Sequence, residues 1–213
     1  MFQDRLEAAS LLLNRLSPYK NLNVVVAGIP RGAIPMADVI ARGLSGELTA
    51  VLVRKISAPD NEEFAIGSIG LSGQLHLSPW AGSYADSNYV GHAIEREQKI
   101  LRERQRLYGL KNPNFEGRTV IIVDDGIATG ATTLTAIKEV RSWGARKIIL
   151  AVPVSSKEAA ETLSQEVDEF IALSIPEFMS SVGEFYRRFP QVSDQEVEQL
   201  LKGSSDESAL EFF

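Results

Sequence analysis

The chain has 213 residues, a formal net charge of −6 and no cysteine. This length suits one domain with a full apolar core, and the negative charge argues against broad binding to nucleic acid or to anionic membranes. The lack of cysteine excludes disulfides and thiolate metal sites. No apolar run approaches the length of a membrane span, so we expect a cytoplasmic protein that is not held in a membrane.

The predicted elements alternate between helices and strands. In chain order they are a helix over residues 2–17, a strand over 22–27, a helix over 34–44, a strand over 48–53, a helix over 89–108, a strand over 119–123, a helix over 130–143, a strand over 147–152, a helix over 155–165 and a strand over 169–173. Residues 56–90 have weak periodicity, with short strand candidates at 65–69 and 74–77. This alternation predicts an α/β fold with a doubly wound, mainly parallel β-sheet flanked by helices. We expect one domain over residues 1–202 and a disordered tail over 203–213.

The most informative segment is residues 119–132, with the sequence TVIIVDDGIATGAT. An apolar, β-branched strand is followed by Asp124 and Asp125, and a loop over residues 128–132 then opens a helix. Such a loop offers unpaired backbone N–H groups and a positive dipole end, which suit a phosphate. Carboxylates accept hydrogen bonds from sugar hydroxyls and hold hydrated Mg²⁺. Together these groups predict a site for a phosphorylated ribose.

Other interpretations of this segment are weaker. Asp-Gly between apolar runs is also a hairpin signal, but the residues that follow have helical spacing. A phosphoacceptor receiver domain would need a further aspartate after a later strand, whereas Asp168 precedes its apolar run. The glycines fit neither GxxxxGK[ST] nor GxGxxG. A plain helix cap at Thr129 stays open, although it does not explain the two carboxylates.

Residues 119–132 resemble the phosphoribosyl pyrophosphate (PRPP) motif of the type I phosphoribosyltransferases. The resemblance implies that Asp124 and Asp125 meet the ribose 2′- and 3′-hydroxyls and hold Mg²⁺ through water. It also implies that a loop binds the 5′-phosphate through backbone amides and two hydroxyls. The residues of this loop are Ala128, Thr129, Gly130, Ala131 and Thr132.

The loop GIPRGAIP, residues 28–35, follows the first strand and looks like the pyrophosphate-binding loop of that family. Gly32 permits a close backbone approach to a ligand, and Arg31 supplies a forked cation for phosphate. Ala33 stands where the family often has a second glycine, which puts any positive backbone angle there in question. The alternative is a tight strand-to-helix turn with an exposed arginine.

Arg54 and Lys55 are predicted to end the strand over residues 48–53, with their side chains on opposite faces. The resemblance places one or both on the pyrophosphate, with Lys55 favoured, while the alternative is solvent-exposed charges. The segment over residues 56–90 has the place of the flexible catalytic loop that closes over PRPP in this family.

Residues 176–192 occupy the place of the hood, the region that selects the nucleobase in this family. Phe178 and Tyr186 are candidates to stack on a planar ring. The alternative is that these aromatics fill a small core under a loop. In the long charged helix, the apolar pairs 100/101 and 107/108 recur at seven residues and suggest the seam of a homodimer.

Four segments together, VRKI, EFAIGSI, VDDGIATGAT and the run from Pro176 to Val197, resemble a bacterial branch of phosphoribosyltransferase-like proteins. The resemblance implies transfer of a 5-phosphoribosyl group from Mg-PRPP to a nitrogen acceptor, expected to be a nucleobase, with release of pyrophosphate. Asp125 and Lys55 are the candidate catalytic residues. The alternatives are a non-catalytic regulator that senses PRPP or a nucleotide, and a hydrolase of either, because fold and phosphate motif are common to all three.

Overall fold

The computed structural model describes residues 1–203, apart from the side chains at positions 62 and 63. The strands are β1 (Val25–Gly28), β2 (Glu47–Ala50), β3 (Val53–Ala58), β4 (Asn61–Gly70), β5 (Leu75–Leu77), β6 (Thr119–Val123), β7 (Lys147–Val154) and β8 (Glu169–Ser174). The helices are α1 (Arg5–Leu16), α2 (Ile34–Leu44), α3 (Ala81–Tyr84), α4 (Ser87–Leu107), α5 (Ala131–Ser142), α6 (Lys157–Leu163) and α7 (Asp194–Gly203). The predicted bounds of α2 and β6 match to the residue. Beyond Gly203, the predicted tail lies outside the described residues.

The central sheet is wholly parallel, in the order β2-β1-β6-β7-β8. Its middle strands are buried on both faces, which explains their continuous apolar runs. Ile121 and alternate neighbours pack with α1, α2 and α7, whereas Val120 and Ile122 pack with α5 and α6. Because successive side chains of a strand point to opposite faces, the helices cover both faces of the sheet. The predicted doubly wound α/β fold is confirmed.

A second sheet forms mostly within residues 56–90, where the sequence predicts a flexible loop with short strands at 65–69 and 74–77, and both short strands are confirmed. Strands β3, β4 and β5 pair antiparallel in that order, and we call them the small sheet. The strand predicted over residues 48–53 is wrong, because the chain leaves the central sheet after Ala50 and enters the small sheet at Val53. The apolar run hides this change, since residues 50–53 are buried throughout. Arg54 and Lys55 therefore lie within a strand of the small sheet.

Helix α4 packs against β3 and β4. The dimer seam predicted on this helix is wrong for two of its four positions, since Leu101 and Tyr108 are buried in the core of their own chain. The homodimer itself stays a prediction. Within residues 1–203, no helix is both long enough and apolar enough to traverse a bilayer.

A buried carboxylate joins the small sheet to helix α5. Glu139 is fully buried, and its carboxylate accepts hydrogen bonds from the backbone N–H of Ser72 at 3.0 Å and from the Ser72 hydroxyl at 2.8 Å. Burial raises the pKa of Glu139, and these hydrogen bonds oppose the shift. On the same interface, the hydroxyls of Ser68 and Thr135 lie 2.7 Å apart. The small sheet is thus fixed to α5 by polar contacts as well as by apolar packing.

We predict that Glu139→Ala lowers the free energy of unfolding by about 1–2 kcal/mol, since the amide and the hydroxyl of Ser72 lose the acceptor that joins them to α5. Amides of residues 70–77 should exchange faster with deuterium, while those of β6 and β7 keep their protection. Glu139→Gln is the matched control, because it retains one acceptor oxygen. Equal exchange in the alanine variant and the wild type would contradict the assigned role of Glu139.

Candidate functional site

The carboxyl ends of β1 and β6 lie side by side, with Gly28 paired to Val123. A cavity of about 290 Å³ opens at this edge. Its lining includes nine predicted site residues, which are Arg31, Gly32, Lys55, Asp124, Asp125, Ala128, Thr129, Gly130 and Thr132. Ala131, Arg54, Phe178 and Tyr186 do not line it. Ligands of open α/β sheets bind at this kind of edge.

Residues 128–132, the predicted phosphate-binding segment that we call the phosphate loop, lie against the end of β7. The Ser156 hydroxyl donates to the carbonyl of Ala128 at 2.6 Å, and the amide of Ile127 donates to the carbonyl of Val154 at 2.9 Å. Gly130 adopts φ +78° immediately before α5, and no side chain caps this helix. The first amides of α5 therefore stay available to an anion.

Asp124 lies at the floor of the cavity and is held by two donors. One carboxylate oxygen accepts the amide of Asp125 at 2.9 Å, and the other accepts the hydroxyl of Thr133 at 3.0 Å. Burial, and then the neighbouring charge of Asp125, raise the pKa of Asp124 well above its usual range. Asp124 therefore favours a nearby cation or hydrogen-bond donor.

Asp125 has a cationic partner that the sequence did not reveal. The guanidinium of Arg5 contacts Oδ2 of Asp125 through Nε at 2.9 Å and through Nη2 at 2.8 Å. Arg5 also donates to the carbonyl of Pro190 at 2.6 Å, and its guanidinium lies 3.7 Å from the ring centroid of Phe189. Burial raises the pKa of Asp125, and the charge and hydrogen bond of Arg5 oppose this shift. The two adjacent carboxylates thus have different surroundings.

The Arg5 contact could not be found from local sequence. The residue lies in the first turn of α1, 120 positions before its partner, in a segment whose pattern shows only an amphipathic helix. Its side chain is only 10% exposed, and burial of an arginine is the feature that distinguishes it.

Gly32 is required by close packing in the loop after β1. A Cβ on Gly32 would collide with Oδ2 of Asp125 and approach Nη2 of Arg5 at 3.0 Å. Ala33 is buried in the right-handed helical region, with φ −81° and ψ −14°. The departure from a second glycine is therefore harmless, since position 33 needs no positive angle. The peptide bond between Pro30 and Arg31 is cis.

The three cationic side chains predicted to bind pyrophosphate have different surroundings. Lys55 lines the cavity, whereas Arg54 faces the other way and donates to the buried carboxylate of Glu97 on α4. The two side chains thus lie on opposite faces, as expected from strand geometry. Arg31 lies in the cavity wall and donates to Asp194 at 3.2 Å.

Asp194 begins α7, after the capping box that Ser193 and Glu196 form as their residue spacing predicts. Its carboxylate accepts from the hydroxyl of Tyr108 as well as from Arg31. The contact of Asp194 with Arg31 joins residues 163 positions apart, so no local sequence pattern reveals it.

In the hood, the predicted aromatic residues lie outside the cavity. Phe178 is 90% exposed, and Tyr186 is buried, with its hydroxyl donating to the backbone carbonyl of Asp125 at 2.6 Å. Tyr186 also stacks on Phe189 at 4.8 Å between ring centroids. Tyr186 therefore belongs to a small core under a loop, which was the alternative interpretation, whereas Phe178 lies in neither place. The hood residue that lines the cavity is Val182, which packs closely over Gly126.

A bound metal would have two carboxylates at this site. Within residues 1–203, no three His, Cys, Asp or Glu side chains are grouped as a metal site. Mg²⁺ commonly uses one or two carboxylates together with waters and substrate phosphate oxygens. Asp124 and Asp125 fit this requirement through bridging water.

Residues 3–185 match the family model of the phosphoribosyl transferase domain. A Mycobacterium tuberculosis protein whose name assigns it provisionally to the phosphoribosyl transferases is 37% identical over 206 residues, which cover 94% of this chain. The chain spans 46% of the length of that relative. The protein TT1426 from Thermus thermophilus is 43% identical to this chain in sequence. Its crystal structure matches the present structure with a TM-score of 0.78, over 94% of this chain and 97% of that chain. Orotate phosphoribosyltransferase from Bradyrhizobium diazoefficiens is 27% identical over 138 residues, 61% of this chain and 67% of its own length.

Gly32→Ala should lower the free energy of unfolding by about 1–3 kcal/mol, because the methyl group displaces the Arg5–Asp125 pair. Urea unfolding measures this loss. Gly91→Ala is the control, since Gly91 lies in the second turn of α4 and a Cβ there meets nothing within 4 Å. This substitution should stabilise the protein by about 0.5–1 kcal/mol. Equal stability of Gly32→Ala and wild type would show that the loop can move away.

The raised pKa of Asp124 makes its ionisation unfavourable in the folded protein. Stability should therefore fall as pH rises from the unfolded value, near 3.8, towards the raised folded value. The side chain of Asp124→Asn cannot ionise. The free energy of unfolding of this variant, relative to that of the wild type, should therefore rise by about 1 kcal/mol or more between pH 5 and pH 8. Urea unfolding in EDTA at both pH values measures the difference. A constant difference would contradict the raised pKa.

Proposed function

We propose, because the chain belongs to the phosphoribosyl transferase family, that it transfers the 5-phosphoribosyl group of Mg-PRPP to a nitrogen acceptor and releases pyrophosphate. The observation that carries this proposal is that one cavity is lined by the carboxylate pair, by four residues of the phosphate loop and by two cations. These are the groups that a ribose, its 5′-phosphate and a pyrophosphate require.

Each part of the ligand has a proposed partner. Asp124 and Asp125 accept hydrogen bonds from the ribose hydroxyls, and residues 128–132 hold the 5′-phosphate through backbone amides and hydroxyls. Arg31 and Lys55 bind the pyrophosphate, with the backbone of Gly32 close beside it. Arg54 is not part of this set, since its guanidinium is held by Glu97 on the other face of β3.

When bound, Mg²⁺ would neutralise phosphate charge on PRPP. The chain supports this role with the carboxylates of Asp124 and Asp125, through water. The raised pKa of Asp124 means that a cation at this position also relieves an unfavourable buried charge.

The proposed reaction is a displacement at C1 of the ribose. The bond from C1 to the pyrophosphate oxygen breaks, and the acceptor nitrogen bonds to C1 with inversion. The displaced electron pair leaves on pyrophosphate, and the proton of the acceptor nitrogen passes to pyrophosphate or to solvent. Arg31 and Lys55 stabilise this charge, while the carboxylates favour a cationic ribose in the transition state. Arg5 holds Oδ2 of Asp125 and so opposes its use as a base. We therefore assign Asp125 to the ribose. The expected acceptor is a nucleobase.

Calorimetric titration of PRPP, with Mg²⁺ or with EDTA, tests the site. We expect Mg²⁺-dependent binding that weakens at least about tenfold in Asp124→Asn. Arg54→Gln is the matched control for Lys55→Gln, because only Lys55 faces the cavity, so only its variant should lose affinity for PRPP. A folded wild type that binds no PRPP would contradict the proposal.

Release of pyrophosphate separates the transferase from its rivals. A transferase releases it only when a nucleobase acceptor is added, and a panel of purines and pyrimidines supplies the candidates. Release without an acceptor would identify a hydrolase, and tight binding without release would identify a sensor. Either outcome retains the PRPP site and rejects the transfer reaction.

A further inference from the structure

A second cavity of about 540 Å³ lies beside the first, between the small sheet and α6. One wall carries Phe64, His76 and Trp80, and the other carries Glu158 and Thr162. Its volume falls within the range of small-molecule sites, roughly 300–1,000 Å³. The proposed transfer reaction assigns it no occupant.

The two cavities meet at the phosphate loop. Lys55, Ala128, Thr129 and Gly130 line both. A phosphate bound by this loop therefore lies at the junction, within reach of one shared cation. A group attached to that phosphate would extend into the second cavity, whereas the ribose would extend towards Asp124 in the first.

The side chains of the second cavity suit a planar ring with polar edges. Trp80 is 52% exposed, so its ring is open to a ligand. Phe64 is fixed by its contact with Tyr84, at 4.7 Å between ring centroids. Indole and phenyl rings favour stacking with other rings. Glu158 is an exposed hydrogen-bond acceptor on the facing helix.

We propose that the second cavity binds a planar group that a second phosphate links to the 5′-phosphate of a ribose ligand. Lys55 would contact this second phosphate. The ligand class is a pyrophosphate-linked nucleotide whose ribose 5-phosphate half occupies the first cavity. This inference rests on the proposed ribose-phosphate site and adds a substrate or regulator class that PRPP does not represent.

ADP-ribose and ribose 5-phosphate are the two probes, titrated by calorimetry and by tryptophan fluorescence in a Trp143→Phe background. Trp143 packs against Phe115 on the other core cluster, so its removal leaves Trp80 as the reporter within the sequence. ADP-ribose should bind at least about tenfold more tightly than ribose 5-phosphate and should change the Trp80 emission. Ribose 5-phosphate should leave that emission unchanged.

Trp80→Ala should lower the affinity for ADP-ribose to that for ribose 5-phosphate. The affinity for ribose 5-phosphate should stay the same. Leu22→Ala is the control, since Leu22 is similarly exposed, at 60%, and lines neither cavity. Equal affinities of the two probes in wild type, or an advantage that persists in Trp80→Ala, would overturn the inference and leave the proposed function intact. If neither probe binds, the ribose-phosphate site itself fails, and the inference fails with it.

Discussion

The ion pair between Arg5 and Asp125 joins the parts of the structure that form the site. It connects the first turn of α1 to the end of β6, lies against Gly32 in the loop after β1, and stacks under Phe189 of the hood. Removing one partner of a buried pair leaves an uncompensated charge, which commonly costs about 3–5 kcal/mol. The positions of four chain segments therefore depend on one contact.

This pair also gives two neighbouring carboxylates different electrostatic surroundings. Asp125 has a cation within hydrogen-bond distance, whereas Asp124 has only an amide and a hydroxyl. Two like charges in one partly buried place disfavour each other's ionisation. Arg5 favours the ionised form of Asp125. Asp124 has no such partner, so it is the carboxylate that most requires a positive ligand. A site of this kind is suited to a ligand that brings its own cation.

The small sheet determines what lies on the other side of the phosphate loop. Glu139 and Ser68 attach it to α5, so that Lys55 points over the loop and Trp80 faces α6. An irregular loop would have left that side open to solvent. The sheet instead creates a second wall and the larger of the two cavities described here.

Local sequence determined strands β1, β6, β7 and β8 and the helices α2, α5 and α6 that flank them. Buried parallel strands have continuous apolar runs, and β6 with its Asp-Asp and Thr-Gly-x-Thr sequence carries its chemistry within fourteen neighbouring residues. The capping box at Ser193 was equally readable, because its partners are three residues apart.

Only the tertiary structure decided the contacts between distant segments. Residues 48–53 gave one apolar run for two strands in different sheets, because burial looks alike in both. Arg5 and Asp194 had ordinary helix-end patterns, yet each reaches the site through a partner more than 100 residues away. The aromatic residues of the hood had the right composition for stacking on a ligand, but packing turned Tyr186 inward and left Phe178 in solvent. Periodicity reports which face of an element is buried, and it carries no information on which distant side chain lies against that face.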